Sequence, residues 1–579
     1  MDNNALTYRI EGSQDSDTAF NPSNLEIEME TLAGSDLHYS PERASARIRS
    51  LLITDQNGFS ITRFETVFSL NNRAVEAKNL HLETTHSAIA ANLEVQYTSR
   101  KTLQDSILSA IFALDMEQLD ISNSDILYFS PQLIRQPFFN SPENNTSLSG
   151  KFSGTVTDFT GTALLLETGE DTRLQTDSFS ITGLPEVDSA RFTFPELQFA
   201  SGRDDIEMLA GSLIPDGIEF PGQFNVQIAF EGLLNAFETE VALNSSFGNA
   251  QLSASLSADE AFSSNLSVDD FNLGRLLGDT VMFGPLTLTA EATGSGMNIN
   301  RSGRDAADGP DQNTFSVDMK AEIPQVYLNS YAYRGVQLDG TYSDQAFNGK
   351  MNVEDEYLVF DFEGLVSLKP GEEEYRFRLD LQGADLQELH IVGDDVKIGL
   401  LAVADIQGVP DSLNGSVVVS NIMAVRQEEL FELDSLTANF TNAAGMSEMS
   451  ISSRLMDLDY IGTISPAGIV GELTDFLDGY FSFSGDEILA QKSGPVMPDE
   501  SEVPTEPATE PATEPAELND PDEPAGTGKS SNFTFTIELH DHPLLSEVLL
   551  PELTTFQPGS ISGSFDSKAG DLKLEARME

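Results

Sequence analysis

Residues 223–231 read QFNVQIAFE, and their alternation of apolar and polar side chains decides the fold. Phe224, Val226, Ile228 and Phe230 share one side of an extended chain, because successive side chains of a strand point to opposite faces. Similar runs follow before Met297. Their apolar-side positions are Phe237, Thr239, Val241 and Leu243; Leu252, Ala254 and Leu256; and Leu286, Leu288, Ala290 and Ala292. The stretch 222–297 is therefore predicted to form strands with one apolar face.

The same alternation recurs towards the amino terminus. Runs occur at Leu25, Ile27 and Met29, at Phe64, Thr66, Phe68 and Leu70, and at Leu93, Val95 and Tyr97. Asn57-Gly58 has the chemistry of a two-residue hairpin turn that needs positive φ. Helical spacing is confined to three short stretches, Thr102–Phe112, Asp204–Ala210 and Pro543–Leu550. The chain is predicted to be mainly β, a meander of antiparallel strands with few short helices.

Glycine recurs inside these strand patterns, between two apolar residues at i−2 and i+2. Such a glycine marks a bend, a bulge or a close approach of two backbones. The six copies are centred on Gly150, Gly232, Gly340, Gly364, Gly415 and Gly563.

Charge and cysteine content limit the possible partners. The chain has 94 acidic and 31 basic side chains and a formal net charge of −63. Such a surface repels phosphate backbones, which disfavours nucleic acid as a direct partner, and it argues against electrostatic docking onto anionic lipid headgroups. The chain has no cysteine. Disulfides and thiolate chemistry are thereby excluded, and the absence fits an oxidising compartment that avoids stray bridges.

No catalytic, cofactor or metal site is predicted. His540 and His542 share one side of a strand, and His81 with His86 could add ligands for zinc, but solvated turn histidines are the favoured interpretation. Carboxylate pairs are too common in this chain to indicate acid–base catalysis, and no loop has the spacing of an EF-hand. No phosphate-binding loop, nucleophile elbow or dinucleotide fingerprint is present. We expect that the protein is not an enzyme.

The apolar side of so long a sheet has two possible fates. Open sheets of more than about ten strands curl or split, because strand twist accumulates. The apolar face therefore either packs against another sheet in a chain of sandwiches or curls into a hydrophobic groove. A groove could serve lipids, since about 30 methylenes of two acyl chains cost about 24 kcal/mol to expose to water at ~0.8 kcal/mol each.

Several segments resemble the AsmA-like, TamB-related family of bacterial envelope proteins. Their order along nearly the whole chain is more specific than any one of them. The segments are SDILYFSPQL (124–133), TRLQTDSFSITGLPE (172–186), DDIEMLAGSLIPDGIEFPGQF (204–224), LSVDDFNLGRLLGDTVMFGPLTLTAEATGSGM (266–297), and the block 331–483 with SSRLMDLDYIGTISPAGIV and the acidic linker that follows.

The resemblance implies a periplasmic protein that is anchored in the inner membrane by an N-terminal helix and reaches the outer membrane. It implies a long twisted antiparallel sheet curled into an open hydrophobic groove, phospholipid transport between the two membranes and, in some members, outer-membrane protein assembly with a barrel partner. The anchor and the family's C-terminal domain have no counterpart here. We therefore expect a fragment from the middle of such a protein, which leaves docking to the membranes and to the barrel partner in doubt.

On this interpretation the chain divides into five parts. Residues 1–140 form an N-terminal β-meander, 141–300 and 301–493 two β-groove segments, 494–531 a linker, and 532–579 a β segment that is truncated at its C-terminus. The linker contains TEPATEPATEPAE, which cannot bury a core and should remain disordered. The groove lining that would contact phospholipid acyl chains is predicted to be Phe224, Val226, Ile228, Phe230, Phe237, Val241, Leu243, Leu252, Leu256, Leu286, Leu288, Phe377, Leu379 and Leu381.

Two rival functions fit the same pattern. The chain could be a surface β-sandwich array, structural or adhesive, whose apolar faces form closed dry cores. It could also be an assembly factor for outer-membrane proteins that offers sheet edges to client strands.

Overall fold

The computed structural model describes residues 2–9, 20, 24–101, 107–211, 214–215, 217–297, 315–443, 445–465, 531–549, 558–569 and 571–578. These residues form one long antiparallel sheet of 29 strands, not closed into a barrel, with few short helices. The predicted fold class is confirmed in these features. The linker predicted at 494–531 lies outside the described residues, apart from Ser531.

The chain divides into two compact units. Unit 1 comprises Met1–Glu363 and Asp385–Gly393, and unit 2 comprises Gly364–Ala384 and Asp394–Glu579. The five predicted parts differ from this division, and their boundaries stay predictions. The residue-140 boundary lies inside unit 1, where Ile111–Ser122 pairs with Asn145–Gly154.

Unit 1 contains strands β1 to β19, each antiparallel to the next. Their bounds are Asp2–Arg9, Asn24–Tyr39, Ala44–Asp55, Ser60–Leu70, Ala74–Thr84, Ala88–Gln96, Ile111–Ser122, Asn145–Gly154, Asp158–Thr168, Thr172–Thr182, Arg191–Gly202, Gln223–Leu233, Ala236–Ser245, Gly248–Leu256, Phe262–Asn272, Phe283–Ser295, Ser316–Leu328, Tyr331–Ser343 and Ala346–Glu354. Two further strands, β20 (Leu358–Ser367) and β21 (Glu374–Asp385), cross the division in sequence.

Unit 2 contains strands β22 to β29. Their bounds are Val396–Gln407, Asn414–Arg426, Glu429–Ala443, Met446–Ser453, Met456–Gly462, Asn532–Leu539, Gly559–Asp566 and Asp571–Met578. A single π-helical turn, Leu544–Leu549, buries Leu544 and Leu545 in a cluster with Phe431 and Leu433.

Arg100 and Lys101, after β6, are α-helical. Three other α-helices of unit 1 follow every fourth strand: α1 (Asn123–Phe129) after β7, α2 (Arg203–Ala210) after β11 and α3 (Leu273–Leu276) after β15. Odd-numbered strands of an antiparallel meander run in the same direction, so these three helices lie at one rim of the sheet. Short 3₁₀ helices occupy Ile107–Ser109, Pro131–Arg135, Pro137–Asn140 and Val187–Ser189.

The helix predictions have mixed outcomes. The helix expected at Asp204–Ala210 is confirmed as α2. Residues 102–106 of the helix expected at Thr102–Phe112 lie outside the described residues. Of the rest, Ile107–Ser109 form a short 3₁₀ helix, and the prediction is wrong from Ile111, which begins β7. Strand β7 is hydrogen-bonded to a neighbour on each side, and this pairing overrides the local helical spacing. The helix expected at Pro543–Leu550 is the π-helical turn.

The hairpin expected at Asn57-Gly58 joins β3 and β4, but its loop has four residues, 56–59. Asp55 Oδ1 accepts hydrogen bonds from the backbone N–H of Asn57 (3.0 Å) and of Phe59 (2.9 Å). Gly58 alone has a positive φ, +89°. The carboxylate, together with one left-handed glycine, therefore shapes this turn.

Candidate functional site

Strand register places the apolar side chains of unit 1 in continuous rows across the sheet. Val226 of β12 pairs with Phe199 of β11 and with Leu243 of β13. Directly paired residues of antiparallel strands share a face and stand side by side. The Val226 row runs from β4 to β16 and is Phe64, Leu82, Ile89, Leu119, Leu148, Leu166, Leu174, Phe199, Val226, Leu243, Ala250, Val268 and Leu288. Every member is apolar.

A second row passes through Ile228, two residues further along β12. It runs from β9 to β19 and is Leu164, Thr176, Leu197, Ile228, Val241, Leu252, Leu266, Ala290, Ala321, Leu338 and Met351. Thr176 is its one polar member, and its hydroxyl donates to the carbonyl of Ser178 at 3.0 Å. The Ile228 row therefore presents no unpaired polar group.

A third row, near the rim opposite the three helices, passes through Phe237. It runs from β2 to β19 and is Tyr39, Ala44, Leu70, Val75, Val95, Phe112, Gly154, Phe159, Ile181, Phe192, Gly232, Phe237, Leu256, Phe262, Gly294, Val317, Tyr342 and Phe347. The Phe237 row is apolar or glycine throughout. We call these three rows, together with the apolar residues beside them, the apolar face of unit 1.

The predicted lining residues of unit 1 fall on this face. Phe224, Phe230 and Leu286 extend it beside the three rows, and the other eight are members of a row. Leu256 is buried, with 6% of its surface exposed, whereas the other ten are only partly buried. The core of a closed sandwich would bury such side chains almost completely.

Phe377, Leu379 and Leu381 lie on β21, in unit 2. They share one side of the strand and are partly buried. Arg376 and Arg378 point to the other side, where Arg378 contacts Asp380 at 3.3 Å. The predicted lining residues of unit 1 and those of unit 2 therefore each share one side of their strands.

The opposite face of unit 1 is polar. Asn225 of β12 pairs with Asn244, which pairs in turn with Asn249, and the series ends at Asp269 of β15. Nearby, Arg191 contacts Glu231 at 3.0 Å, and both side chains are more than half exposed. The sheet of unit 1 thus has one apolar and one hydrated face.

Several glycines face aromatic rings on the neighbouring strand. A Cβ built on Gly161 would lie 2.1 Å from the ring of Phe179, one on Gly340 would lie 2.7 Å from Phe347, and one on Gly563 would lie 2.5 Å from Phe535. The sequence predicted a bend, a bulge or a close approach of two backbones at these positions. A Cβ on Gly340 would also lie 2.8 Å from the backbone oxygen of Asn348, whereas the atoms nearest to Gly563 belong to side chains. The rings cover these glycines and fill the space that a side chain would occupy.

Buried carboxylates at the helix rim were missed by sequence reasoning. Asp205 in the first turn of α2 accepts hydrogen bonds from the backbone N–H groups of Glu170 (3.1 Å), Asp171 (2.8 Å) and Thr172 (2.7 Å). Burial alone would raise its pKa, but these hydrogen bonds, with one from the Thr172 hydroxyl, together lower the pKa of Asp205. Asp205 therefore connects α2 to the β9–β10 turn as an ionised acceptor.

Asp355 holds the β19–β20 turn in the same manner. It accepts from the Tyr331 hydroxyl and from the backbone N–H groups of Arg334 and Tyr357, each at 3.0 Å. Burial and this hydrogen bond raise the pKa of the Tyr331 phenol. The position of each aspartate relative to the turn that it contacts could have indicated these hydrogen bonds. The sequence contains so many acidic residues that neither aspartate stands out.

Two of the six histidines contact a carboxylate. His86 Nδ1 lies 3.4 Å from Asp125 Oδ1 in unit 1, and His540 Nε2 lies 3.0 Å from Asp457 Oδ2 in unit 2. The Ser452 hydroxyl also donates to Asp457, so Ser452 and then His540 lower the pKa of that carboxyl. Serine and histidine bind the same carboxylate and not each other, which differs from a nucleophile–base arrangement. Among the described residues, no group of three or more side chains could hold a metal ion.

The fold and this face define a class, an open antiparallel sheet protein with one apolar and one polar face. Comparisons with known proteins add no family: no family model, no curated protein and no solved structure matches the chain. In the part of the chain that the structure describes, no helix is both long and apolar enough to cross a bilayer.

Proposed function

We propose that the protein is a periplasmic β-groove segment that conducts phospholipids between the inner and outer membranes and so supports outer-membrane biogenesis. The observation that carries this proposal is the continuity of the apolar rows, which cross up to eighteen consecutive strands of unit 1 without a charged member. The resemblance to AsmA-like proteins supports the location and the transport role.

Continuity matters because a moving lipid must never expose its chains fully. Exposure of both acyl chains costs about 24 kcal/mol at ~0.8 kcal/mol per methylene. A gap in the rows would impose part of this cost as a barrier. The Val226 row has no polar position at which such a barrier would arise.

The width of the face also suits an acyl chain. Val226 and Gly232, members of the first and third rows, are six residues apart on β12, which corresponds to about 20 Å at ~3.4 Å per residue. One leaflet of a bilayer has a hydrocarbon depth of about 15 Å, half of the ~30 Å core. An extended acyl chain can therefore lie along a strand within the apolar face.

The partial exposure of the lining favours lipid as its partner over a second sheet. Apolar side chains that remain partly open to solvent over many strands mark an interaction surface for an apolar ligand. The polar, acidic opposite face keeps the sheet hydrated. A lipid conductor requires no catalytic residue, cofactor or metal, in agreement with the expectation that the chain is not an enzyme.

The test introduces charge into the lining. Val226→Asp with Ile228→Asp should abolish lipid co-purification, measured by mass spectrometry of lipids extracted from the purified full chain. Gln227→Asp is the matched control, because Gln227 lies between the two on the polar face and is exposed. A photo-cross-linker at position 226 should label lipid, whereas one at position 227 should not.

Two outcomes would refute the groove. Unchanged lipid content in the double variant would remove its main support, and cross-links from position 226 to protein alone would indicate a closed sandwich core. Sensitivity to proline in edge strands, with none to charge on the apolar face, would favour an assembly factor.

A further inference from the structure

Three connections at the rim opposite the three helices of unit 1 differ in charge from the rest of the protein. This rim carries the turns from even-numbered to odd-numbered strands. The first three of these turns include residues 40–43, 71–73 and 97–101, which we call the basic rim. It contains Arg43, Arg73, Arg100 and Lys101 with a single acid, Glu42, and the remaining sequence of the third connection, 102–110, adds one acid, Asp105, and no cation.

The sign of the charge reverses further along the same rim. The next four connections are residues 155–157, 183–190, 234–235 and 257–261. They contain four acids and no cation. The basic rim is therefore a local feature in a chain with a net charge of −63.

Hydrogen bonds hold the basic rim together. The guanidinium of Arg100 donates to the carbonyls of Pro41 (3.1 Å) and Asn71 (3.4 Å), so it bridges the first and second turns. The buried Tyr97 donates its hydroxyl to Asn71 O at 2.7 Å and its N–H to Arg73 O at 2.8 Å. Arg43 and Arg73 are each two residues from a carbonyl that Arg100 contacts.

The remaining cations of the basic rim are available to a ligand. Arg43, Arg73 and Lys101 are exposed, and among the described residues none of them contacts a carboxylate. Cations on the faces of the same sheet are paired, such as Lys151 with Asp115 at 2.8 Å and Lys350 with Glu363 at 3.0 Å. Unpaired cations concentrated on adjacent turns indicate an anionic partner.

Exposed apolar side chains directly precede the first turn of the basic rim. Leu37 and Tyr39, at the end of β2, are 83% and 84% exposed, and Tyr39 is four residues from Arg43. Basic residues beside an exposed leucine and an aromatic are the composition that binds the interface of an anionic bilayer, where the cations meet headgroups and the apolar groups enter the acyl boundary.

We propose that the basic rim, with Leu37 and Tyr39, docks the protein on the surface of an anionic phospholipid bilayer. The net charge of the chain predicts repulsion from such a bilayer. Most of that charge acts only weakly on a headgroup at the basic rim, because salt screens charges that are more than about 8 Å apart at physiological ionic strength. A headgroup at the basic rim responds to the nearby cations, and the acids further along the sheet are screened. This docking stands whether or not the apolar face carries lipid.

The test is co-sedimentation of the full chain with vesicles of phosphatidylcholine, with and without phosphatidylglycerol. Each exposed basic residue contributes about five-fold to binding of an anionic surface. Arg43→Glu, Arg73→Glu and Lys101→Glu together should therefore weaken binding to the anionic vesicles by at least about 100-fold. Added salt should weaken binding of the unmodified chain.

The control variant carries Lys151→Glu, Lys320→Glu and Lys350→Glu, which change the net charge equally at exposed positions on the polar face. It should bind the anionic vesicles nearly as the unmodified chain does. Leu37→Ser with Tyr39→Ser leaves the charge unchanged and should also reduce binding. Circular dichroism checks that each variant is folded.

Equal binding to both kinds of vesicle, or an equal loss in the two charge-reversal variants, would overturn the proposal. So would binding to soluble polyglutamate that is as tight as to anionic vesicles and indifferent to the Leu37 and Tyr39 changes, since that result would identify an acidic polypeptide as the partner.

Discussion

Asp205 illustrates how one carboxylate among many acquires a structural role. Its side chain is 5% exposed, and it accepts three backbone N–H groups of the β9–β10 turn. Gly169 in that turn has φ +65°, and a Cβ there would lie 2.4 Å from the Asp205 carboxylate. Glycine therefore permits the close approach, and the carboxylate satisfies the N–H of Thr172, which burial would otherwise leave unpaired.

Asp205→Ala should release the β9–β10 turn. The buried N–H of Thr172 loses its acceptor, whereas the amides of the exposed Glu170 and Asp171 can bind water instead. A hydrogen bond to a charged group is worth about 1.5–3 kcal/mol, so we expect a local loss of about 3 kcal/mol. Hydrogen exchange of the Glu170, Asp171 and Thr172 amides measures this loss. Asp204→Ala is the control, since Asp204 is the exposed acid next to it in α2. Equal exchange in the two variants would contradict the structural role.

The same contact predicts a pH dependence. The folded-state pKa of Asp205 is lowered, so its stabilisation is complete above the unfolded carboxyl pKa of about 3.9 and is lost as pH falls through the lower folded value. Exchange in Asp205→Ala and in the unmodified chain should therefore differ at neutral pH and converge in acid. If the exchange rates of the two proteins still differ at low pH, the ionised form of Asp205 is not what stabilises the turn.

At the level of strands and turns, the sequence predicted some features and missed others. Strands β12, β13, β14 and β16 were identified because apolar residues occupy alternate positions. Strand β15 was not, because Ser264 interrupts its apolar face and its Asp269-Asp270 pair lies in a bulge.

The cross-strand rows were also beyond sequence reasoning. Register depends on bulges such as the one between Phe194 and Leu197, which shifts every later pairing of β11 with β12. The sequence therefore predicted which residues share a side of each strand. It could not predict which residues of different strands stand opposite each other.

In three two-residue hairpin turns both residues have positive φ although neither is glycine. Asn329–Ser330, Asp344–Gln345 and Gln427–Glu428 each have two positive φ angles, the arrangement of a type I′ turn. Asparagine and aspartate tolerate this region, but glutamine is strained there. These turns lack the usual signal, and the sequence pattern therefore did not reveal them.

Gln345→Gly should stabilise the β18–β19 hairpin. Gln345 has φ +63°, and glycine removes a backbone strain of about 1 kcal/mol, offset in part by the greater freedom of the unfolded chain. Gln337→Gly, in the middle of β18, should destabilise the same hairpin because glycine weakens a strand interior. Urea unfolding measures both changes. If the two variants shift stability in the same direction, the strain argument is wrong.

At the scale of the molecule, charge acts in two opposite ways. The net charge of −63 generates self-repulsion that opposes the compact state. Exposed ion pairs such as Lys320–Asp339, at 3.4 Å, offset little of it, because pairs of this kind contribute at most about 1 kcal/mol. The basic rim is a local exception, since its attraction to an anionic surface and the repulsion among the acids have opposite signs.

Sodium chloride should therefore stabilise the fold while it weakens membrane docking. Raising ionic strength to about 0.15 M shortens the screening length to about 8 Å, which reduces repulsion among the acids and equally reduces attraction between the basic rim and headgroups. The urea midpoint should rise with salt, and vesicle co-sedimentation should fall over the same range. Replacing Glu238, which pairs with Glu231 across β12 and β13, by Gln should make the urea midpoint less salt-dependent. A midpoint that is independent of salt would show that self-repulsion does not limit stability, and docking that is independent of salt would show that the basic rim does not act through charge.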